Sequence, residues 1–235
     1  MTRAPALILL AATLAFGLAP FVTPPFTGYD PALFPVQIGR PFIQPAGYAF
    51  AIWSLIYAWL ILHAVFGLMQ RADHPAWAPT RLPLTLAVLV GSGWLWIAGT
   101  SATWGTVTIW IMAFAALTAF LRSPTEPDRW LLSAPTAIFA GWLTAAAAVS
   151  TGVLIAGYGI LSNTGSALGM LALVLLLAIA VQSRKPGMPI YGLTVIWALG
   201  GVVAANWGTQ MAVAWAAAGG ALIMLVRLAL DLRRT

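Results

Sequence analysis

Residues Tyr48–Met69 read YAFAIWSLIYAWLILHAVFGLM, 22 residues without an Asp, Glu, Lys or Arg. At 1.5 Å of rise per residue, about 20 apolar residues cross the hydrocarbon core of a bilayer as a helix. The run is continuous. It lacks the alternation of a transmembrane strand, so it predicts a membrane-spanning helix.

Outward from this segment the pattern repeats. Apolar runs at Pro5–Val22, Leu84–Thr100, Trp104–Leu121, Trp130–Val149, Gly165–Val181, Ile190–Ala205 and Met211–Leu230 bring the expected count to eight spans. Thr151–Thr164 is read either as a re-entrant turn or as an extension of the fifth helix. The fold class is an all-α polytopic membrane protein. The composition agrees: 61% of the 235 residues are hydrophobic and 7% are charged. A soluble domain carries about 25% charged residues, so soluble enzymes and nucleic-acid readers are excluded.

The charges test the count. With eight spans, Arg3, Arg71, Arg81, Arg122, Arg129, Arg184, Lys185, Arg227, Arg233 and Arg234 fall on one side, and Arg40 alone on the other. The positive-inside rule then predicts cytoplasmic termini in a bacterial-type inner membrane. The first run is read as a retained span, not a cleaved leader.

Chemistry-bearing groups inside the spans are few. There is no cysteine, and His63 is the only titratable group well inside a helix besides tyrosine. Ion-coupled pumps and proton relays need intramembrane charge, so they are disfavoured, as is side-chain acid–base catalysis. No cofactor is required by the pattern. His63 has two readings: an axial ligand to a bound tetrapyrrole, or a neutral histidine bonded to a neighbouring helix. Trp77, Trp104, Trp130 and Trp207 lie at span ends, where indoles suit the interface. Trp53, Trp59, Trp94, Trp96, Trp110, Trp142, Trp197 and Trp215 lie within spans. They predict either lipid and packing contacts or a shared aromatic cavity for a flat or sterol-like ligand. Gly and Ala at four-residue spacing (Gly165/Gly169, Ala216/Gly220) predict close helix packing, then a dimer face. Residues 23–47 are rich in Pro, Gly and aromatics. They form either a lid over one mouth of the bundle or a loop wedged among headgroups.

The segment Arg40–Tyr57, RPFIQPAGYAFAIWSLIY, resembles the helix-two approach of the tryptophan-rich sensory protein/translocator protein (TspO/MBR) family. Pro41, Pro45, Tyr48, Phe50, Trp53, Ser54 and Tyr57 carry the likeness. Trp94 is similar to the family's third-helix tryptophan, and Pro135, Gly141 and Trp142 to its fifth-helix pattern. Departures fall at Ile43, where the family has Trp, at Val90-Gly91 in place of Leu-Asn, and at Ser150 in place of Asn. The resemblance covers roughly residues 5–150. It implies a five-helix bundle over 1–150 that binds porphyrins, other tetrapyrroles or sterols, with three extra helices over 151–235. On that resemblance the site comprises Arg40, Pro45, Tyr48, Phe50, Trp53, Tyr57, Trp94 and Trp142. Arg40 either pairs a ligand carboxylate or snorkels to lipid phosphate. The expected partners are the bilayer, a hydrophobic ligand, and a second copy or a larger complex. The rival class is a non-catalytic assembly subunit of such a complex.

Overall fold

The computed structural model describes residues 3–24 and 26–233. Within them the chain forms eight α-helices: α1 Ala4–Val22, α2 Ile52–Gln70, α3 Ala78–Thr100, α4 Ala102–Arg122, α5 Ala134–Gly157, α6 Asn163–Arg184, α7 Ile190–Asn206 and α8 Met211–Leu232. No strand occurs among the described residues. Seven of the eight are long and apolar enough to cross a membrane, and α7, at 17 residues, is the shorter one. In lipid every backbone polar group must be satisfied internally, which apolar helices of this length achieve by themselves.

Local signals set the ends. Proline occupies the first turn of α1, α3 and α5, where its missing N–H costs nothing. Ser101 is the whole of the α3–α4 connection. Its N–H donates to Ile97 O, and its side chain accepts from Trp104 N. Gly159, just past α5, has φ +71°, a left-handed conformation that reverses the chain at a helix end.

Boundaries of α2, α3 and α5 differ from the sequence reading, and α2 starts at Ile52, not Tyr48, after a 3-10 turn over Gly47–Ala51. Helix α3 starts at Ala78, not Leu84, because Arg81 is satisfied by donating to Arg71 O at 2.6 Å. Residues Arg129–Ser133 wind as one wide π turn, and α5 then runs to Gly157, so Thr151–Gly157 extend the helix. Position 150 therefore lies inside α5.

Helices α1, α2, α5, α4 and α3 each pack on the next, and α3 returns to α1, closing a five-membered ring. Helices α5, α6, α8 and α7 close a second ring, so α5 is common to both. Its sequence suits that position: Ala145–Ala148, Gly141 and Gly152 let neighbouring backbones approach closely. A Cβ on Gly141 would lie 2.8 Å from Tyr191 O of α7. Hydrogen bonds join α5 to its neighbours, among them Ser166 Oγ to Gly152 O at 2.6 Å and Trp110 Nε1 to Thr151 Oγ1 at 2.8 Å.

At the end of the bundle where α1 begins and α8 ends, cations meet helix C-termini. Lys185 Nζ donates to Phe120 O and Ser123 O at the end of α4, and Arg129 donates to Gly187 O at 2.7 Å. Such placement complements the exposed carbonyls and the helix dipole. Asp128 accepts from Arg71 at 2.9 Å and from Trp77 Nε1 at 2.8 Å. Trp77, expected at the interface, is instead buried in a notch above Gly67 and stacked on His63, because its indole N–H has this carboxylate as acceptor. Burial works against the Asp128 charge, but the two hydrogen bonds outweigh it and hold the carboxyl below the ordinary aspartate range. A depressed carboxyl stabilises the fold above the unfolded-state pKa of about 4 and loses that contribution as pH falls below it. Asp128→Asn is therefore expected to lower the melting temperature at pH 7 and to flatten the acid limb of the stability–pH profile, as read by thermal unfolding in detergent between pH 3 and 7.

Candidate ligand-binding cavity

One cavity of about 1290 Å³ lies at the opposite end of the bundle, bordered by residues from 24–47. All five helices of the first ring line it: Phe16 of α1, Trp53 and Tyr57 of α2, Trp94 of α3, Met112 of α4 and Trp142 of α5. Small-molecule pockets span roughly 300–1,000 Å³, so this one exceeds the usual range.

Its inner wall is aromatic. Trp53 and Tyr57, one helical turn apart on α2, stack at 5.4 Å with 19° between planes. Phe16 stands edge-on to Tyr57 at 5.0 Å. Trp142 presents its ring at 84° to Trp53, 6.1 Å away, and at 84° to Phe50, 5.7 Å away. Trp142 is 2% exposed, and its indole N–H has no acceptor among the described residues. Trp94, by contrast, donates to Gly105 O at 2.8 Å.

The segment between α1 and α2 closes over this wall. Tyr29 reaches down to Ser150 Oγ at 2.5 Å, and Ser150 is joined to Thr106 Oγ1 at 2.7 Å. Burial pushes the Tyr29 phenol up from its ordinary pKa, so its hydroxyl keeps its proton. The Tyr29 tip sits where Gly105 has no side chain; a Cβ there would be 2.8 Å from the phenol oxygen. Phe34 fills the same kind of notch at Gly157, and Pro45 at Gly201. The second half of the segment is hydrogen-bonded to helix ends. Val36 N donates to Gly157 O, Phe42 N to Asn163 Oδ1, and Ala46 N to Gly201 O. Asn163 Nδ2 donates to Arg40 O, and Asn206 Nδ2 to Phe42 O. These contacts make residues 26–46 a docked lid.

Seven of the eight residues assigned to the site on resemblance line the cavity: Arg40, Pro45, Phe50, Trp53, Tyr57, Trp94 and Trp142. Tyr48 does not. It is 53% exposed and packs edge-on against Trp197. The reason is local: Gly47–Ala51 form a 3-10 turn, whose three-residue period puts Gly47 and Phe50 on the cavity face and turns Tyr48 away. His63 also lies outside the lining. It is fully buried, donates from Nδ1 to Leu131 O at 2.7 Å, and stacks on Trp77, as its bonded-histidine reading expects. Arg40 borders the cavity, but its guanidinium caps α7, with Nη2 donating to Ala205 O at 2.7 Å and Asn206 Oδ1 at 3.1 Å. Of the eight tryptophans within spans, Trp53, Trp94, Trp96 and Trp142 line the cavity; Trp59, Trp110, Trp197 and Trp215 do not.

The departures from the family pattern have partners here. Ser150 receives Tyr29. Gly91 makes room for Phe16, whose ring would lie 2.5 Å from a Cβ. Ile43 is buried against Gly152. No group of three or more His, Cys, Asp or Glu able to hold a metal occurs among the described residues. Ile43 and Ser150 were already marked as family positions; sequence reasoning missed Phe16, Tyr29 and the α6 and α7 contributions Leu171, Val174, Ala198, Leu199 and Val202. Among these only Tyr29, an aromatic in a Pro/Gly-rich loop, carries a recognisable signal.

The family model for TSPO-like proteins matches residues 34–230. The chain belongs to the TSPO-like family. The match runs from the lid through α8, so the last three helices fall within the family pattern, beyond the 5–150 range of the sequence likeness. It places the chain among polytopic membrane proteins that generally bind ligands or act as sensors. Comparison with curated proteins and with solved structures returned no match.

Proposed function

We propose that this TSPO-like protein binds a hydrophobic, planar aromatic ligand of the tetrapyrrole class, as a non-catalytic receptor, sensor or carrier in a bacterial-type inner membrane. The basic end of the bundle, with both termini, faces the cytoplasm on this reading. The observation that carries the proposal is the aromatic wall of the lidded cavity. The Trp53–Tyr57 stack supplies a ring-sized platform, and the unpartnered Trp142 indole stands beside it. Flat π-faces favour offset or edge-on partners of the same kind, and buried indole N–H groups favour an acceptor.

Titration of the protein in lipid nanodiscs with protoporphyrin IX tests this. Saturable quenching of tryptophan fluorescence with one-to-one stoichiometry is expected. Quenching that rises linearly, as in protein-free discs, would contradict the proposal.

Arg40 sharpens the test. Its Nε has no hydrogen-bond partner among the described residues, so one edge of the guanidinium is available to a ligand carboxylate at the cavity mouth. A charge-assisted hydrogen bond contributes about 1.5–3 kcal/mol, or roughly 10- to 100-fold in affinity. Arg40→Ala is expected to weaken protoporphyrin IX by that factor and its dimethyl ester much less. Because Arg40 also caps α7, the ester reports any loss from disturbing the lid. Equal weakening of both would show a structural role alone.

A further inference from the structure

The cavity does not end at the first ring. Its lining continues past α5 onto Leu171 and Val174 of α6 and Ala198, Leu199 and Val202 of α7. These side chains are aliphatic throughout. The polar groups on the cavity, among them Tyr29, Asp30, Arg40, Gln44, Tyr57, Thr100 and Ser150, belong to the lid, α2, α3 and α5, and neither α6 nor α7 contributes one.

The geometry explains why space exists there. Helix α5 faces this region with Ala145, Ala146 and Val153, whose side chains are short. Ile43 and Pro45 of the lid roof it, held at Gly152 and Gly201. Below, α5 and α7 close together where Gly141 meets Tyr191 and Thr194, which provides a floor. The aromatic wall and the aliphatic wall thus belong to one cavity larger than a single drug-sized ligand needs.

We propose that the aliphatic part, between α5, α6 and α7, takes the saturated hydrocarbon chain of a ligand whose conjugated ring lies against Trp53, Tyr57 and Trp142. The inference rests on the aromatic-ligand reading above and extends it. The ligand is an amphiphile in two parts, a flat ring and a flexible chain. The ring meets matching π-faces, and the chain meets methyl groups that have no hydrogen-bonding demand.

The surrounding lipid must be removed from the comparison, since a chain partitions into acyl tails as readily as into an apolar pocket. A double comparison cancels that term. The probes are protoporphyrin IX dimethyl ester and the mixed ester in which one methyl is replaced by dodecyl. Each is titrated into nanodiscs holding the wild-type protein, Ala198→Phe or Val174→Phe. The phenylalanines enlarge side chains on α7 and α6, while the aromatic wall stands on α1, α2 and α5, and thermal unfolding checks that both variants fold. A displaced chain returns to acyl tails, so the loss reads steric overpacking of a chain held by its bound ring against the phenylalanine, about tenfold. The expected result is that loss for the dodecyl ester alone, with the dimethyl ester changed less than twofold. Equal losses for both esters, or no loss for either, would overturn the chain-binding inference while leaving the ring site standing. Failure of both esters to bind the wild-type protein would overturn the aromatic-ligand reading and this inference together.

Discussion

Replacing Asn163 and Asn206 together by alanine is expected to release the second half of the lid while leaving the helices in place. Asn163 accepts from Phe42 N at 2.9 Å and donates to Ile38 O and Arg40 O at 3.2 and 3.0 Å. Asn206 donates to Phe42 O and Val202 O and accepts from Arg40. Residues 38–42 therefore take much of their backbone hydrogen bonding from two side chains at the ends of α6 and α7. A hydrogen bond left unmade at a partly buried group costs about 1–3 kcal/mol. Two sites of this kind lower the free energy of lid opening enough to raise exchange of the Phe42 amide by roughly 100-fold or more. Hydrogen exchange read by mass spectrometry across residues 34–46 checks this. Asn163→Asp separates the roles, since it keeps the acceptor for Phe42 N and loses both donors; its effect should fall between wild type and Asn163→Ala. Unchanged exchange in the double variant would mean that the glycine notches alone hold the lid.

The second large effect concerns the aromatic wall. Trp53→Leu and Trp142→Leu retain an apolar side chain of moderate size but remove the π-face. Aromatic pairs contribute about 0.5–1.5 kcal/mol each beyond burial, and the Trp53 platform offers more than one contact. The expected loss of protoporphyrin affinity is about tenfold for each variant and close to 100-fold for the pair. Trp215 is the control. It is 61% exposed on α8, where its ring meets Trp207 at the bundle surface. Trp215→Leu should change affinity less than twofold. If Trp215→Leu weakened binding as much as Trp53→Leu, porphyrin would be associating with outward-facing indoles.

Helix number was readable from this chain because uncharged runs of spanning length have one solution in lipid. The boundaries were harder where polar residues stand in helices. The sequence left Thr151–Thr164 open between a re-entrant turn and an extension of the fifth helix. In the fold, Ser150 holds Tyr29 and Thr106, while Thr151 bonds back to Ala147 O and accepts from Trp110. Partners on other elements support the extension through Gly157, and no local pattern announces such partners. The cavity was readable to the extent that it is aromatic. Trp53, Tyr57, Trp94 and Trp142 stand out in any reading. Leu171, Val174 and Leu199 do not, because an aliphatic residue facing a cavity and one facing lipid are the same in sequence. Tyr48 was assigned by resemblance, and the 3-10 turn over Gly47–Ala51 that turns it away from the cavity has no mark in that likeness. The glycines at 105, 157 and 201 were visible as small residues, but what they accommodate, namely Tyr29, Phe34 and Pro45 of the lid, depends on a loop docking more than 40 residues away in the chain.

The central claim is that ligand enters the bundle instead of coating it. Photolabelling measures this directly: a porphyrin carrying a diazirine, irradiated with the protein in nanodiscs, followed by peptide mapping. Labels on the α2 and α5 peptides containing Trp53 and Trp142, suppressed by excess unlabelled protoporphyrin, are the predicted result. Labels confined to the outward-facing α8 peptide around Trp215, with no competition, would contradict the account.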